Sequence, residues 1–305
     1  MRARRSRLWQ GRDWSARALA VGACQDSGRR MLTDYHVHLR PDGPDTPASR
    51  YFTAGNAERY RESAAEKGIA ELGVAEHVYR FTDALEVWDH ELWRDNATDD
   101  LTDYCGWVKE ETDLKLGIEA DFIPGREDRM AALLDDHPWD YVVGSIHFLG
   151  DGALDYDKYD VWTRADSADR VWRTYFEWLA EAATCGLYDV LAHPDLVKHW
   201  GSQRPQPERD PRYYYDIAME AIAASGIAVE LSTAGLRKPV RELYPSEAFL
   251  EMIVDAGNPI VLSSDAHTPD VLGYGYEQAV AQLERLGVTE IGVFEGRELR
   301  LERLG

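Results

Sequence analysis

Two histidines separated by a single valine, His36 and His38, lie in the stretch TDYHVHLRPDG at residues 33–43. The run around them predicts a β-strand, and residues i and i+2 of a strand point to the same face of the sheet. Both imidazoles are therefore expected to leave the strand together, and such a pair can bind a metal ion. A His-X-His pair is common on its own, so this interpretation depends on the rest of the chain.

Six of the nine histidines share one kind of position, at or just beyond the C-terminal end of a strand-like segment, whereas His90, His137 and His199 lie in loops or at helix edges. Carboxylates occur at the same register, and one more follows the first strand on a loop. The candidate metal ligands are His36, His38, Asp42, His77, Glu119, His147, His193, Asp265 and His267.

Strand-like and helix-like segments alternate along the chain from Met31 onward. The strand-like segments are residues 31–38, 69–77, 114–122, 139–148, 187–195, 227–233 and 259–267; amphipathic stretches between them include residues 56–68, 168–186 and 245–257. Ser246 is a candidate N-cap for the last of these, and residues 199–212 are interpreted as a long loop. Regular alternation predicts right-handed βαβ units and a parallel sheet, here a closed or nearly closed seven-stranded barrel.

The barrel would bring all the candidate ligands together, because the C-terminal ends of its strands line one mouth, where active sites are found. Imidazoles and carboxylates without thiolates suit Zn²⁺, Fe²⁺ or Mn²⁺. Nine ligands exceed the needs of one ion, since a catalytic zinc takes about three protein ligands. We therefore expect two or three divalent metals, with Glu119 as the best candidate for a bridging carboxylate.

Composition narrows the class of protein. The formal net charge of −21 argues against a nucleic-acid partner, because phosphate binding depends on clustered Lys and Arg. The chain has no uninterrupted apolar run of about 18 residues, and no membrane partner is expected. Its three cysteines, Cys24, Cys105 and Cys185, are widely spaced and form neither a disulfide framework nor a thiolate metal site. These features predict a cytoplasmic protein.

Residues 1–30 differ from the rest of the chain. Eight arginines against Asp13 and Asp26 give this segment a charge of about +6, which leaves about −27 for residues 31–305. We expect a disordered basic leader, or upstream sequence included by an early start codon, with residues 31–305 forming one domain. A targeting peptide or a polyanion-binding arm is the alternative.

Six short motifs, in this order, resemble those of the PHP family, named for polymerase and histidinol phosphatase. They are DYHVH (34–38), AEH (75–77), GIEADF (117–122), GSIHFL (144–149), LAHPDL (191–196) and SSDAH (263–267). The resemblance implies a distorted (β/α)7 barrel, similar to a TIM barrel, with a trinuclear metal centre at its mouth.

The resemblance also implies a division of the ligands. His36, His38, Glu119 and Asp265 would hold one metal, His77 and His267 a second, and Glu119, His147 and His193 the third. Many relatives have a further histidine after the first motif, in the context PHG, where this chain has PDG and therefore Asp42. Asp45 is a possible substitute for Asp42.

Within the family the likeness is strongest to phosphatases that hydrolyse L-histidinol phosphate, through segments such as ELSTAGLRKPVRELYPS (230–246). This implies a phosphomonoesterase of histidine biosynthesis, with Glu119, Asp265 and His267 as catalytic residues. Ser232, Arg237 and Lys238 are candidates for binding phosphate, although Arg237 and Lys238 could be solvated loop charges. Glu76 and Asp195 could orient imidazole rings or be ordinary strand-end residues.

Two alternatives remain open at this stage. The same metal centre could serve a phosphoesterase for another small metabolite, or a nuclease, although the negative net charge disfavours the nuclease. A metal-binding structural or regulatory module without catalysis is a different class of protein. Retention of a ligand-type residue at each of these strand ends argues against that class.

Overall fold

Seven parallel strands form the central sheet of the computed structural model, which describes residues 31–43 and 45–305. Each strand lies inside one of the seven predicted segments, so the prediction is confirmed. The strands are β1 Thr33–Asp34, β2 Glu71–His77, β3 Lys115–Asp121, β4 Tyr141–Ser145, β7 Val190–Leu191, β8 Ala228–Ser232 and β9 Ile260–Ser263; two short strands, β5 Phe148–Leu149 and β6 Gly152–Ala153, form a hairpin between β4 and β7.

The seven strands follow one another around the sheet in chain order, and the first meets the last. Val37 and Ala266 form a parallel bridge across this seam, and the amide of His38 donates to the carbonyl oxygen of Ala266 at 2.8 Å. The sheet is therefore the nearly closed barrel that the alternation predicts. Chain order also explains why six separate segments can deliver side chains to one mouth.

Helices cover the outside of the barrel and include the amphipathic stretches that were predicted. They are α1 Ala48–Tyr51, α2 Ala54–Glu66, α3 Glu91–Asn96, α4 Leu101–Glu111, α5 Glu127–Leu134, α6 Ala168–Thr184, α7 Arg212–Ser225, α8 Glu247–Asp255 and α9 Tyr276–Arg285. The predicted loop at 199–212 contains a single short 3₁₀ turn, Gly201–Gln203. None of the helices in the described part of the chain is both long and apolar enough to cross a membrane.

The longest helix, α6, shows how the sequence sets its boundaries. The Ser167 side chain accepts a hydrogen bond from the amide of Arg170 and caps the N-terminus, and the chain leaves the helix through Gly186, at φ 78°. Ser246 lies at the predicted N-cap position of α8 but does not cap it. Its hydroxyl instead pairs with the hydroxyl of Tyr215, at 2.9 Å.

The bottom of the barrel, opposite the mouth, is filled by aromatic rings. Tyr35 and Tyr141 point inward from β1 and β4, with ring centroids 5.0 Å apart in an edge-to-face arrangement. Glycine is required on the neighbouring strand, because a Cβ on Gly117 would lie 2.3 Å from the Tyr141 ring. Sequence periodicity alone did not predict this interior packing.

A C-terminal hairpin closes this end of the barrel, and it was not predicted either. Its strands are β10 Glu290–Glu295 and β11 Glu298–Arg303. Phe294 packs against both inward-facing tyrosines. The turn is anchored by Arg297, whose side chain pairs with Asp189 at 2.7 Å and whose amide donates to the carbonyl oxygen of Asp140 at 2.7 Å. Arg297 adopts φ 64°, and the usual Asn-Gly turn signal is absent from this segment.

Some of the features predicted from the sequence lie outside the described residues. The basic segment 1–30 and Cys24 are among these, so the expectations about a leader remain predictions. Within residues 31–43 and 45–305, Cys105 and Cys185 are free thiols, in agreement with the absence of a disulfide framework.

Removing the Phe294 ring from the bottom of the barrel should destabilise the fold. Phe294→Ala deletes a ring that is 1% exposed, and such truncations cost about 3–5 kcal/mol of unfolding free energy. Equilibrium urea unfolding with a fixed m-value measures this loss. Leu301→Ala is the matched control, because Leu301 is 50% exposed on the same hairpin and should change stability by less than about 0.5 kcal/mol. Equal effects of the two substitutions would show that burial of the Phe294 ring does not stabilise the fold.

Candidate metal centre

The nine candidate ligands meet at the mouth of the barrel, as the strand-end register predicts. Four of them, His36, His147, His193 and Asp265, lie two residues beyond the last residue of a strand, and His77 is the last residue of β2. This common position explains their convergence, because parallel strands in register end at the same level. Which of these residues bind metal remains a prediction.

Glu119 lies at the centre of the cluster and is 1% exposed. One carboxylate oxygen, Oε2, is 3.3 Å from His36 Nε2 and 2.5 Å from His77 Nδ1. The other, Oε1, is 3.3 Å from His147 Nε2 and 3.1 Å from His193 Nε2. A carboxylate whose two oxygens face two different sets of imidazoles has the geometry of a bridging ligand.

The rest of the cluster lies on the Oε2 side. Asp265 Oδ1 is 3.5 Å from His38 Nε2 and 3.5 Å from His267 Nδ1. Asp42 Oδ1 is 3.2 Å from His267 Nε2 and 3.5 Å from His77 Nε2. Of the two carboxylates considered for the loop after the first motif, Asp42 is therefore the one that reaches the cluster, although its side chain is 60% exposed.

Several buried nitrogen and oxygen atoms of the cluster lie close to one another but make no hydrogen bond of acceptable geometry among the described residues. They are His36 Nε2, His38 Nδ1 and Nε2, Glu119 Oε2 and His193 Nδ1. Buried polar atoms are normally paired, so unpaired imidazole and carboxylate atoms that face one another fit a group of divalent cations. Three sets have ligand atoms within 4.8 Å of one another: His38, His77 and His267; His36, His38 and Asp265; and His36, Glu119 and His193.

Two carboxylates that the sequence reasoning missed hold the imidazoles in place. Glu230 Oε1 lies 2.8 Å from His36 Nδ1, and its Oε2 accepts a hydrogen bond from the amide of His193 at 2.6 Å. Asp121 Oδ1 lies 2.8 Å from His147 Nδ1. Such outer contacts fix the orientation and tautomer of a ligand histidine. The signal was present, because Asp121 has the same-face spacing to Glu119 and Glu230 is a charge inside an apolar strand.

The two residues that were considered for this orienting role have other partners. Glu76 accepts from the amide of Leu39 at 2.8 Å and from Arg40 Nε at 3.1 Å, on the side of β2 that faces the helices. Asp195 accepts from the amide of Ser246 and pairs with Lys198 at 2.9 Å. Both are therefore ordinary strand-end polar residues, which was the alternative prediction. Strand alternation directs Glu76 away from the imidazole rings, and a local turn does the same for Asp195.

Two of the cluster residues have backbone conformations that are unusual for residues with a side chain. His193 has φ 23° and Asp265 has φ 49°. Residues in such regions cost about 1–3 kcal/mol each and persist where the surrounding contacts fix them. The Glu230 carboxylate fixes the amide of His193, and the Arg237 guanidinium donates to the carbonyl oxygen of Asp265 at 3.1 Å.

The phosphate-binding candidates occupy three different environments. Lys238 lines a cavity of about 560 Å³ above the cluster. Arg237 instead donates to the carbonyl oxygens of Ser264 and Asp265. Ser232 is fully buried, and its backbone pairs with that of Tyr244. Only Lys238 of the three lines this cavity, because Ser232 is buried at the end of β8 and the Arg237 guanidinium is directed to the carbonyl oxygens that follow β9.

The metal-free cluster is strongly charged. Burial would raise the pKa of the Glu119 carboxyl, but the imidazoles of His36, His77 and His147 hold this pKa well below its usual range. Burial lowers the pKa of His77 and His147, yet the Glu119 carboxylate overcomes this and raises the two values to about 9 and about 10. At neutral pH the metal-free mouth therefore holds protons on imidazoles that face a shared carboxylate.

A nearly closed parallel barrel with a buried histidine and carboxylate cluster at its mouth is typical of β/α-barrel enzymes, whose active sites lie at the C-terminal ends of the strands. The PHP domain family profile matches residues 34–234. This match covers more than half of the chain, which therefore belongs to the PHP domain family.

Known proteins agree with this assignment. The chain is 31% identical over 263 residues to a probable histidinol-phosphatase of Deinococcus radiodurans, with 84% of this chain and 94% of the relative covered. It is 26% identical to a histidinol-phosphatase of Bacillus subtilis, covering 83% and 98%. In fold it is similar to the crystal structure of Lactococcus lactis histidinol phosphate phosphatase in complex with zinc, L-histidinol and phosphate, with TM-score 0.68, 19% identity and coverage of 89% and 100%.

Loading the metal-free protein with Zn²⁺ at pH 7 should release protons, because His77 and His147 have raised pKa values and ligand imidazoles must be neutral. Lower pH should weaken the apparent affinity by up to about tenfold per pH unit for each proton displaced. Titration calorimetry in two buffers of different ionisation enthalpy counts the protons. His147→Gln should release fewer protons than the wild type, and a count of zero for the wild type would contradict the pKa assignments.

Loss of an outer carboxylate should weaken metal binding without unfolding the protein. Glu230→Gln removes the negative charge beside His36, and such changes cost about 10–100-fold in metal affinity. Competition with a chromogenic chelator measures the affinity. Glu220→Gln, an exposed position on α7, is the matched control. An unchanged affinity in Glu230→Gln would remove the orienting role of Glu230.

Proposed function

We propose that this protein is a metal-dependent phosphomonoesterase that hydrolyses L-histidinol phosphate to L-histidinol and phosphate in histidine biosynthesis. The observation that carries the proposal is the cluster of eight ligand-type side chains around Glu119, in a chain whose 31% identical relative is named probable histidinol-phosphatase. The Lactococcus lactis structure, a complex with zinc, L-histidinol and phosphate, supports both the metal and the substrate.

The proposed centre has two or three divalent ions of zinc, iron or manganese. His36, His38, Glu119 and Asp265 would hold one ion, His77, His267 and Asp42 a second, and Glu119, His147 and His193 a third. The contacts of Glu119 support this division, because its Oε1 faces the third set and its Oε2 faces the others. When bound, such ions neutralise the charge of a phosphate ester and lower the pKa of a bound water toward 7.

The remaining chemistry is assigned to side chains that reach the cavity. Asp265 and His267 have side chains that are 14% and 17% exposed, whereas Glu119 is 1% exposed. We assign to Asp265 the acceptance of the proton of the attacking water. His267, which is neutral when it holds an ion, positions Asp265 through its Nδ1, and the alcohol oxygen takes up a solvent proton as its bond to phosphorus breaks. Lys238, which also lines the cavity, adds a positive charge for the phosphate.

The decisive test compares substrates. Phosphate release from L-histidinol phosphate is measured beside other phosphate monoesters and a nucleic-acid diester, before and after chelation. We expect a kcat/KM at least a hundredfold higher for L-histidinol phosphate, about 2.7 kcal/mol of discrimination, and loss of activity on chelation. Flat, weak turnover across the panel would overturn the substrate, and activity that survives chelation would overturn the metal mechanism.

The central carboxylate should be indispensable. Glu119→Ala removes the one group that faces both sets of imidazoles, so metal content should fall and kcat/KM should drop by more than the roughly hundredfold that outer partners cost. Metal content per chain by elemental analysis, activity and circular dichroism are measured together. Glu111→Ala, an exposed position at the end of α4, should match the wild type. A folded Glu119→Ala protein with full metal content would refute the bridging role.

A further inference from the structure

One wall of the mouth cavity carries charged and aromatic groups that the metal chemistry does not use. Residues of the segment that follows β6 line this wall, among them Asp155, Tyr156 and Lys158. The same cavity is lined by the cluster residues His147 and His193. A molecule bound at the cluster would therefore also touch this segment.

Asp155 differs from the other acidic residues near it. Asp95, which also lines the cavity, pairs with Lys158 at 3.3 Å, and Glu91 pairs with the same ammonium group at 3.0 Å. The half-buried Asp155 side chain has no hydrogen-bond or ion-pair partner within residues 31–43 and 45–305. A half-buried carboxylate without a partner in the protein is available to a cationic group of a bound molecule, which would replace part of its hydration.

His199 lies on the same wall and is also incompletely paired. The residue is 6% exposed, its Nδ1 lies 3.5 Å from the Tyr244 hydroxyl, and its Nε2 has no hydrogen-bond partner in the described part of the chain. Burial lowers the pKa of this imidazole to about 4, although the charge of Asp155 opposes the shift. His199 is therefore neutral at pH 7 and adds no positive charge of its own to this wall.

Asp155 shares its cavity with residues of the cluster. His147, His193 and Asp265 line the same space of about 560 Å³. L-histidinol phosphate carries its ammonium group on the carbon next to the one that bears the phosphate oxygen. A carboxylate that binds this ammonium group must line the same cavity as the phosphate site, and Asp155 does so.

We infer that Asp155 is a specificity-determining residue that binds the substrate's ammonium group while the phosphate lies at the metal cluster, with the neutral His199 as a neighbouring hydrogen-bonding group. This inference rests on the proposed function and names the part of the site that selects an amino alcohol phosphate. It also explains how a cavity that binds a phosphate group at the cluster can favour an ester with an ammonium group over an ester without one.

The test is Asp155→Asn, which keeps the size of the side chain and removes its charge. For L-histidinol phosphate we expect kcat/KM to fall at least tenfold, while kcat/KM for 4-nitrophenyl phosphate, which has no ammonium group, stays within twofold. The inhibition constant of L-histidinol should rise at least tenfold, and that of inorganic phosphate should not change. Asp151→Asn, an exposed position in the β5–β6 turn, is the matched control and should behave as the wild type.

Equal losses on both esters, or no loss on either, would overturn the role of Asp155. Metal content and circular dichroism are measured on each variant, so that loss of the centre is not mistaken for loss of recognition. If the wild type did not prefer L-histidinol phosphate, the proposed function would fail separately. The comparison would then use 2-aminoethyl phosphate and ethyl phosphate: a wild-type preference for the amine that Asp155→Asn abolishes supports the inference, and no preference overturns it.

Discussion

The structure depends on one buried carboxylate. Glu119 is enclosed by imidazoles from four other segments of the chain and is nearly inaccessible to water. An ionised carboxylate in such a place is tolerated only if positive charge lies next to it. In the metal-free protein the protons on the surrounding imidazoles supply that charge. In the proposed function, divalent cations would displace these protons and supply the charge instead.

The barrel keeps its buried charges at one end and the apolar packing that stabilises the fold at the other end. Polar groups are concentrated at the C-terminal ends of the strands, whereas the opposite end is packed with Tyr35, Tyr141 and the hairpin residue Phe294. The unusual backbone angles of His193 and Asp265 occur only where side chains from other elements fix them. A rigid, apolar end can thus support a mouth that contains buried charges and strained turns.

The sequence predicted the barrel and the members of the cluster, because both follow from local rules. Strand and helix periodicity determine the order of elements, and the position of His77 or His147 relative to a strand end determines where its side chain emerges. Contacts between distant segments follow no such rule. The packing of separate elements determines three features: the contact of Glu230 with His36, the hydrogen bonds of Arg237 to the carbonyl oxygens of Ser264 and Asp265, and the position of the β10–β11 hairpin at the bottom of the barrel. Residue type suggested Arg237 as a phosphate ligand, but tertiary packing gave it carbonyl partners.

The hairpin that closes the bottom of the barrel also brings Met31 and Gly305 together. The amide of Met31 donates to the carbonyl oxygen of Arg303, and the amide of Gly305 donates to that of Met31, each at 2.9 Å. The two ends of the domain therefore lie side by side, on the face away from the mouth. A tether attached at Gly305 would therefore lie on the far side of the barrel from the mouth. Immobilisation on a surface through this residue is thus compatible with an unobstructed mouth.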